Sequence, residues 1–470
     1  MNLILALVAG LLLAASDHPL HLWWLQFVAL LPYWWGLWRQ RRAGRRTWLF
    51  GLVFGLAYAS AIVAAAGLAP PVLIAAGANV LQWTFATWLC ARHLDRGPMR
   101  GPLTAAAMLT LVEVALWHLV PVFGTAQAFV RPLSAAPMLV AFVAYTGVGG
   151  LVFVVAALQA LLVAALRGPA RGLTLATMAV LVATVAVLDA VRWQRPLGDA
   201  VTVAAFGWAR EYPNSPDGQA FPQIAAAMAH DAGARLLVTP EAAISTSEPD
   251  RMRAFCRELC AQYPMALALG VWHLEADDNR IWFVDATGEL RGEYRKSHLV
   301  PLFEDYPVGD GVPVLMPFGD AVLGGMICQD DNFTDVARAH GVAGVPIVAV
   351  PTNDWPAIRE FHLENAVFRS VENGYAVVRA ASDGISALVS PRGEVLARYD
   401  HTDDSIGGSA GPSAIGVSRS QRLPSAALLH GALPLGDGVP TVYARFGDLP
   451  VLLGGATLVL LALRRRRTVA

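Results

Sequence analysis

The chain has 470 residues, of which 55% are hydrophobic and 15% are charged. A soluble globular protein would carry about 25% charged residues, so this composition indicates a membrane protein. The formal net charge of −1 excludes the strongly basic character typical of nucleic-acid-binding domains, and we expect no nucleic-acid partner.

Eight apolar segments are candidates for membrane-spanning helices, which need about 20 mostly apolar residues. The predicted spans are 2–15, 22–38, 48–67, 71–91, 103–120, 137–166, 172–191 and 449–463. The first segment lacks the basic N-terminal region of a signal peptide, so we interpret it as a short spanning helix.

Arginines in the connections predict how the helices are oriented. They cluster after the second, fourth and sixth helices, as in "RQRRAGRR" at 39–46, and in the tail Arg464–Arg467. The alternate connections carry almost none. Because Lys and Arg accumulate in cytoplasmic loops, we expect both termini in the cytoplasm and the long region between helices seven and eight outside it. The predicted domains are a transmembrane domain at 1–192, an extracytoplasmic domain at 193–445, and a last helix with its cytoplasmic tail at 446–470.

Glu113 lies inside the fifth predicted span, in "LTLVEVALW". A carboxyl group at bilayer depth is costly, which makes it a functional candidate. The alternative is a structural hydrogen bond to a neighbouring helix. The sequence leaves both interpretations open.

The region after residue 200 alternates short apolar runs with amphipathic stretches. Predicted strands lie at 201–207, 235–242, 265–272 and 321–328, and predicted helices lie at 219–232, 250–262 and 358–373. Two further segments are predicted hairpins that turn at Thr287-Gly288 and Arg392-Gly393. Strands that alternate with helices, together with paired hairpins, predict an α/β fold with two layers of mixed strands.

Three predicted strand ends in this region carry groups suited to acyl transfer. Glu241 follows a strand in "LLVTPEAAI", Lys296 ends a hairpin strand in "GEYRKSHLV", and Cys328 ends a strand in "GGMICQDDNF". A cysteine nucleophile needs a base, which a carboxylate can supply, and a lysine can stabilise an oxyanion. The motifs GxxxxGK[ST] and HExxH are absent, which argues against nucleotide hydrolysis and a zincin. The residues alone suggest a cysteine-based acyltransferase or amidase. Taken singly, Lys296 would more often be a solvated hairpin lysine, and Glu241 an acid at the start of a helix after a proline.

At these motifs the sequence resembles the nitrilase (carbon–nitrogen hydrolase) superfamily, whose catalytic set is Glu, Lys and Cys in this order. With its membrane helices the chain resembles the membrane-embedded branch, the apolipoprotein N-acyltransferase family. "PEAAI", "KSHLVPLFEDYP" and "GGMICQD" are similar to the motifs of the base, the lysine and the nucleophile. The resemblance implies eight transmembrane helices and an α-β-β-α sandwich.

The resemblance also implies roles for individual residues. Glu241 would be the general base, Lys296 the oxyanion lysine and Cys328 the acyl-carrying nucleophile. Supporting and pocket residues are expected as follows: the acids Glu304 and Asp330 would support the set, and Gln329, Trp208, Phe303 and Trp355 would line the substrate pocket. The family usually has Cys-Tyr-Glu where this chain has Cys328-Gln329-Asp330, which bears on substrate details. His298 and His362 lie in the same motif regions and are interpreted as structural or substrate-edge residues rather than bases.

The family reaction implies a phospholipid acyl donor and a diacylated apolipoprotein acceptor, with no cofactor and no metal. The expected protein is a monomer in the bacterial inner membrane. Two alternatives stay open: a membrane-tethered amidase in which water takes the acyl group, and a homologue that has lost catalysis and binds lipid or lipoprotein.

Overall fold

The structure is a computed structural model that describes residues 2–168, 170–209, 221–403, 405–407, 416–419, 423 and 425–463. The chain divides into two compact units: residues 1–194 with 446–470, here called the helical unit, and residues 195–445, here called the sheet unit. The predicted arginine tail, Arg464–Arg467, lies outside the described residues.

The helical unit contains the apolar segments. In chain order its helices are α1 (Asn2–Ser16), α2 (Leu30–Arg42), α3 (Thr47–Ala66), α4 (Pro70–His93), α5 (Arg100–Leu119), α6 (Val143–Arg167), α7 (Arg171–Trp193) and, after the sheet unit, α13 (Leu449–Leu463). By length and composition, α3 to α7 can cross a membrane, and α1 and α13 are shorter apolar helices. The predicted helical bundle is therefore confirmed, with two local differences. The sixth span begins with a 3-10 helix, Pro137–Leu139, and α6 starts only at Val143. The second span divides into a 3-10 helix, Trp23–Phe27, and the short helix α2.

Buried amides satisfy the backbone where these helices are interrupted. Gln159 accepts a hydrogen bond from the Leu30 amide at 2.8 Å and donates to the Gln26 carbonyl at 2.9 Å. The Gln26 side chain in turn donates to the Phe129 carbonyl at 2.6 Å. Backbone groups without partners are costly inside a membrane, so these glutamines stabilise the irregular segments.

Glu113 takes part in the same kind of contact. Its carboxylate accepts hydrogen bonds from the Gln82 side chain on α4 and, at 3.2 Å, from the Phe129 amide. Glu113 therefore has the hydrogen bond to a neighbouring helix that the structural interpretation requires.

The sheet unit is built from two mixed sheets. Its strands are β1 (Ala200–Trp208), β2 (Leu236–Val238), β3 (Ile244–Thr246), β4 (Ala266–His273), β5 (Asp278–Val284), β6 (Leu290–Arg295), β7 (Met316–Phe318), β8 (Ala321–Gly325), β9 (Ile347–Asn353), β10 (Ala376–Ser382), β11 (Ile385–Val389), β12 (Val395–Asp400), β13 (Ser405–Gly407), β14 (Gly416–Arg419) and β15 (Ala426–Pro434). Sheet one has the order β14-β15-β1-β2-β4-β5-β6, with β3 also paired to β4, and sheet two runs from β7 to β13 in sequence order. A single parallel bridge between Trp208 and Ser382 joins β1 to β10.

Helices cover the outer faces of both sheets. They are α8 (Phe221–Asp231), α9 (Pro249–Gln262), α10 (Thr334–Val342), α11 (Arg359–Asn373) and α12 (Val442–Phe446). Side chains alternate along the strands with a period of two. In β1, for example, Val203 belongs to the core between the sheets, and Phe206 belongs to the core under α8 and α9. The predicted α-β-β-α sandwich is confirmed.

Candidate active site

Glu241 enters the site from sheet one. β2 ends at Val238, and the chain turns through Thr239 and Pro240 to bring Glu241 out of the strand. This turn lies against β4 at Gly270, where a β-carbon would collide with the Pro240 carbonyl oxygen. Glycine at this position therefore lets the carboxylate approach the rest of the site.

The Glu241 carboxylate is buried and held by three donors. Its Oε1 accepts hydrogen bonds from Lys296 Nζ and Asn279 Nδ2, each at 2.7 Å, and its Oε2 accepts one from the Asn353 amide at 3.0 Å. These contacts orient both oxygens of the carboxylate. They also connect strands from the two sheets, because Asn279 belongs to β5 and Asn353 to β9.

Lys296 follows β6 and is fully buried. Its ammonium group donates to Glu241 and to Glu304 Oε1, each at 2.7 Å, and Glu304 also accepts the Val300 amide at 2.7 Å. Burial by itself lowers the pKa of Lys296, but the two carboxylates outweigh it and raise the pKa well above its usual value. Lys296 is therefore a fixed positive charge.

Cys328 lies at the start of a 3-10 turn, Cys328–Asn332, that follows β8. Its φ of 45° is in the left-handed region, which is uncommon for a residue with a side chain. The thiol donates to the Asn353 carbonyl, with a distance of 3.6 Å between Sγ and the oxygen. Asn353 therefore contacts both reactive groups: its amide binds Glu241 and its carbonyl binds Cys328.

Electrostatics keep the Cys328 thiol protonated at rest. Burial, reinforced by the negative charge of Glu241, raises the pKa of the thiol well above its usual value, and the positive charge of Lys296 opposes this. A buried thiol of this kind needs a base to become a nucleophile. Among the described carboxylates, Glu241 has the largest effect on the pKa of this thiol.

Asp330 connects the segment that follows Lys296 to the turn Cys328–Asn332, here called the nucleophile turn. One oxygen accepts hydrogen bonds from the amides of Ser297 and His298 at 3.1 and 2.8 Å. The other oxygen accepts the Tyr294 hydroxyl at 2.9 Å and the Ile327 amide at 3.1 Å. Asp330 is fully buried, so it positions the backbone on both sides of the site rather than contacting solvent.

The structure brings some of the other predicted residues to this region. Gln329 is buried within the turn and accepts a hydrogen bond from Asn332 at 2.9 Å. Phe303 is 58% exposed, and its ring lies 6.0 Å from that of Trp355. Trp208 is placed elsewhere, because its ring packs against Phe206 and Phe221 in the core under α8.

Sequence reasoning missed a buried ring of four charged residues behind the cysteine. Asp331, His362, Asp354 and Arg379 are each at most 4% exposed. His362 bridges the carboxylates of Asp331 and Asp354 at 2.8 and 2.7 Å, and Arg379 bridges their other oxygens at 3.2 and 2.8 Å. Because these residues are far apart in the chain, only the folded sheets bring them together.

One group of potential metal ligands overlaps this ring. Ligand atoms of Cys328, Asp354 and His362 lie within 4.8 Å of one another. Both nitrogens of His362 already face carboxylates, and the Arg379 guanidinium binds Asp354. The arrangement is therefore organised as a hydrogen-bonded ion network rather than as a set of free ligands.

Comparison with known proteins gives a family and several relatives. Residues 199–407 match the carbon–nitrogen hydrolase family model. An apolipoprotein N-acyltransferase of Chromobacterium violaceum is 27% identical over 98% of this chain and 93% of the relative. One of Rickettsia bellii is 26% identical over 37% of this chain. A solved amidase structure from Nesterenkonia sp. AN1 is 20% identical, with a TM-score of 0.41, and the match covers 55% of this chain and 98% of the amidase.

The length of these matches differs among the relatives. In the Rickettsia bellii, Bradyrhizobium diazoefficiens and Geobacter metallireducens proteins, all apolipoprotein N-acyltransferases, the chain spans only 34%, 45% and 46% of the relative's length. The Chromobacterium violaceum match extends over both the helical and the sheet unit.

Proposed function

Because the chain belongs to the carbon–nitrogen hydrolase superfamily, in its apolipoprotein N-acyltransferase family, we propose that it acylates lipoproteins. In this proposal a fatty acyl group passes from a phospholipid to the N-terminal amine of a diacylglyceryl-cysteine. The observation that carries the proposal is the convergence of Glu241, Lys296 and Cys328, with the two reactive groups bound to one residue, Asn353.

The first half of the reaction forms a thioester. Glu241 takes the thiol proton as Cys328 Sγ attacks the ester carbonyl carbon of the phospholipid. Lys296 stabilises the negative charge that develops on the carbonyl oxygen, since a fixed charge in a water-poor site needs little reorganisation. The carbon–oxygen bond then breaks, the proton returns from Glu241 to the leaving alkoxide, and lysophospholipid departs.

The second half transfers the acyl group to nitrogen. The neutral α-amine of the acceptor attacks the thioester carbon, and Glu241 takes a proton from the amine. The carbon–sulfur bond breaks, an amide forms, and the proton returns to the Cys328 thiolate. The thioester supplies the driving force, so the reaction needs no nucleotide.

Mass spectrometry of the purified full-length protein after exposure to phospholipid tests this proposal. We expect an acyl adduct on Cys328, with the adduct absent and activity at least about 10³-fold lower in Cys328→Ala. Cys260→Ala is the matched control, because Cys260 is also a buried cysteine but lies in the core under α9.

Addition of a diacylated lipopeptide then identifies the acceptor. Amide formation on the peptide supports the transferase. Release of free fatty acid without amide would instead indicate a hydrolase. Full activity in Cys328→Ala would refute the cysteine mechanism.

A further inference from the structure

The buried ring of Asp331, His362, Asp354 and Arg379 extends directly to the nucleophile. His362 Nε2 lies 3.1 Å from the backbone carbonyl oxygen of Cys328 as well as 2.8 Å from Asp331. On the other side, Asp354 follows Asn353, whose amide and carbonyl bind Glu241 and the Cys328 thiol. The ring therefore contacts Cys328 through His362. Through Asp354 it adjoins Asn353, which binds both Glu241 and Cys328.

The hydrogen-bond partners identify the protonation state of His362. Within the described part of the chain, the polar groups that contact its two nitrogens are all acceptors, namely two carboxylates and one carbonyl. Both carboxylates also bind Arg379. Burial raises the pKa of Asp354, but its contacts, led by the positive charge of Arg379, outweigh burial, and the pKa lies below its usual value. Each imidazole nitrogen of His362 must then donate a proton, so the side chain is an imidazolium. With two aspartates and two cations, the ring as a whole is neutral.

We propose that His362 is a positioning residue for Cys328: its imidazolium holds the carbonyl of the left-handed nucleophile residue and keeps the thiol aligned with Glu241. This role rests on the proposed function only in naming Cys328 as the nucleophile. The backbone conformation of Cys328 is unfavourable for a residue with a side chain and persists only where its surroundings impose it. The charged hydrogen bond from His362 is one such restraint, and it is stronger than a neutral one.

The ring gives this alignment a dependence on pH. Burial lowers the pKa of His362, but the negative charges of Asp331 and Asp354 outweigh both burial and the positive charge of Arg379, raising the pKa to about 9. An ordinary histidine has a pKa of about 6.5. Because the folded value is raised, the restraint is fully present below about pH 6.5 and is lost as the pH rises through about 9.

The rate at which iodoacetamide alkylates Cys328 in the full-length protein tests the proposal, because it reports on the thiol without any lipid substrate. We expect His362→Phe, which removes both donors, to slow alkylation at about pH 7 by about tenfold or more. His362→Gln keeps one donor and should recover part of this loss. Peptide mapping separates Cys328 from the other three cysteines, which are all buried.

A double variant, Asp331→Asn with His362→Gln, separates positioning from a merely structural role. It keeps the ring neutral without a group that titrates near pH 9. The ratio of wild-type to double-variant alkylation rates should be constant below about pH 8 and fall as the pH passes about 9. A ratio that stays flat through pH 9, or wild-type alkylation in His362→Phe, would overturn the proposal. If His362→Phe does not fold, the double variant decides alone.

Failure of this inference can be distinguished from failure of the proposed function. Normal alkylation of Cys328 without any acyl adduct from phospholipid would count against the acyltransferase and leave the role of His362 intact. An acyl adduct that forms equally well in wild type and His362→Phe would count against the role of His362 and leave the acyltransferase proposal intact.

Discussion

The backbone is strained at Cys328 and at the residue that follows Glu241. Cys328 has a φ of 45°, and Ala242, directly after Glu241, has a φ of 49°. Such conformations cost on the order of 1–3 kcal/mol each and persist where surrounding contacts determine them. Here the contacts are the hydrogen bonds to the Cys328 carbonyl and to both oxygens of Glu241. Placing the side chains of Glu241 and Cys328 therefore lowers the free energy of unfolding of the sheet unit.

Replacing Glu241 by Gln should separate the base from the rest of the site. Loss of the carboxylate should slow acyl transfer by about 10²–10⁴-fold, the usual contribution of a general base. Glu241 also raises the pKa of Cys328, so its removal should let the thiol ionise at lower pH. Single-turnover acylation and the pH dependence of iodoacetamide alkylation measure the two effects.

Glu304→Gln is the matched control for this substitution, because Glu304 also binds Lys296 at 2.7 Å but affects the pKa of Cys328 less. We expect both effects to be smaller in this variant. Equal losses of acylation in the two variants would contradict a specific role for Glu241 as the base.

The sequence singled out three candidate reactive residues but not the groups that orient them. Glu241, Lys296 and Cys328 stand at the ends of recognisable strands within family motifs. The roles of Asn279 and Asn353 depend on pairing between distant strands and, for Asn353, on backbone groups that carry no sequence signal. Trp208 could have been placed by parity, because it is two residues from Phe206 along β1 and so shares its outer face.

At the scale of elements, the site is held by the contact between the nucleophile turn and the segment after β6. Asp330 makes this contact by accepting hydrogen bonds from Ser297, His298 and Ile327. His298 continues it, because its ring lies 3.2 Å from Asp330 and 3.2 Å from Asp335 and stacks on Phe333. Asp330 thus fixes the distance between Lys296 and Cys328.

Substituting Asp330 by Asn should loosen this contact. An amide would turn an NH₂ group towards donors whichever way it is placed, and the contact with the half-buried His298 would lose its charge. We expect about 3 kcal/mol of lost stability and faster protease cleavage within residues 297–312. Thermal unfolding in detergent and limited proteolysis measure these outcomes.

Asp335→Asn provides the comparison, since Asp335 contacts the same histidine but its side chain is 69% exposed. An exposed partner contributes at most about 1 kcal/mol, so this variant should resemble the wild type. If the two variants behaved alike, the contact of Asp330 with the turn would not be what holds the segment.

The predicted elements were most accurate where periodicity was strong. The helices expected at 250–262 and 358–373 are observed as Pro249–Gln262 and Arg359–Asn373. The strand expected at 235–242 ends at Val238, because the following residues leave the sheet to carry Glu241. Apolar pattern therefore predicts the scaffold, and it fails where the chain departs from the sheet to build the site.

At the scale of the whole molecule, the helical unit needs an apolar environment. Several valines of α7 are not covered by other residues of the chain, among them Val180, which is 67% exposed, and Val187, which is 61% exposed. Such side chains on a long apolar helix are typical of contact with lipid. The sheet unit has its own two hydrophobic cores instead. The side of the membrane on which the arginine-rich connections lie stays a prediction.

Labelling of single introduced cysteines tests that orientation in intact cells. Glu275 lies on an exposed turn of the sheet unit, and Ala43 lies on the exposed arginine-rich connection between α2 and α3. We expect a membrane-impermeant maleimide to label Glu275→Cys in spheroplasts, and to label Ala43→Cys only after the membrane is permeabilised, because positively charged connections stay in the cytoplasm. The parent protein, labelled in parallel, gives the background from the four native cysteines, all of which are buried.

The two variants control for each other, because both sites are exposed and differ in their expected side of the membrane. Labelling of Ala43→Cys but not of Glu275→Cys in spheroplasts would reverse the orientation and place Cys328 on the cytoplasmic side. The proposed reaction has its diacylated acceptor at the outer face of the membrane, so a cytoplasmic Cys328 could not reach it. Acyl transfer to a lipoprotein therefore requires the predicted orientation. The proposed chemistry of Glu241, Lys296 and Cys328 does not depend on which side of the membrane they occupy.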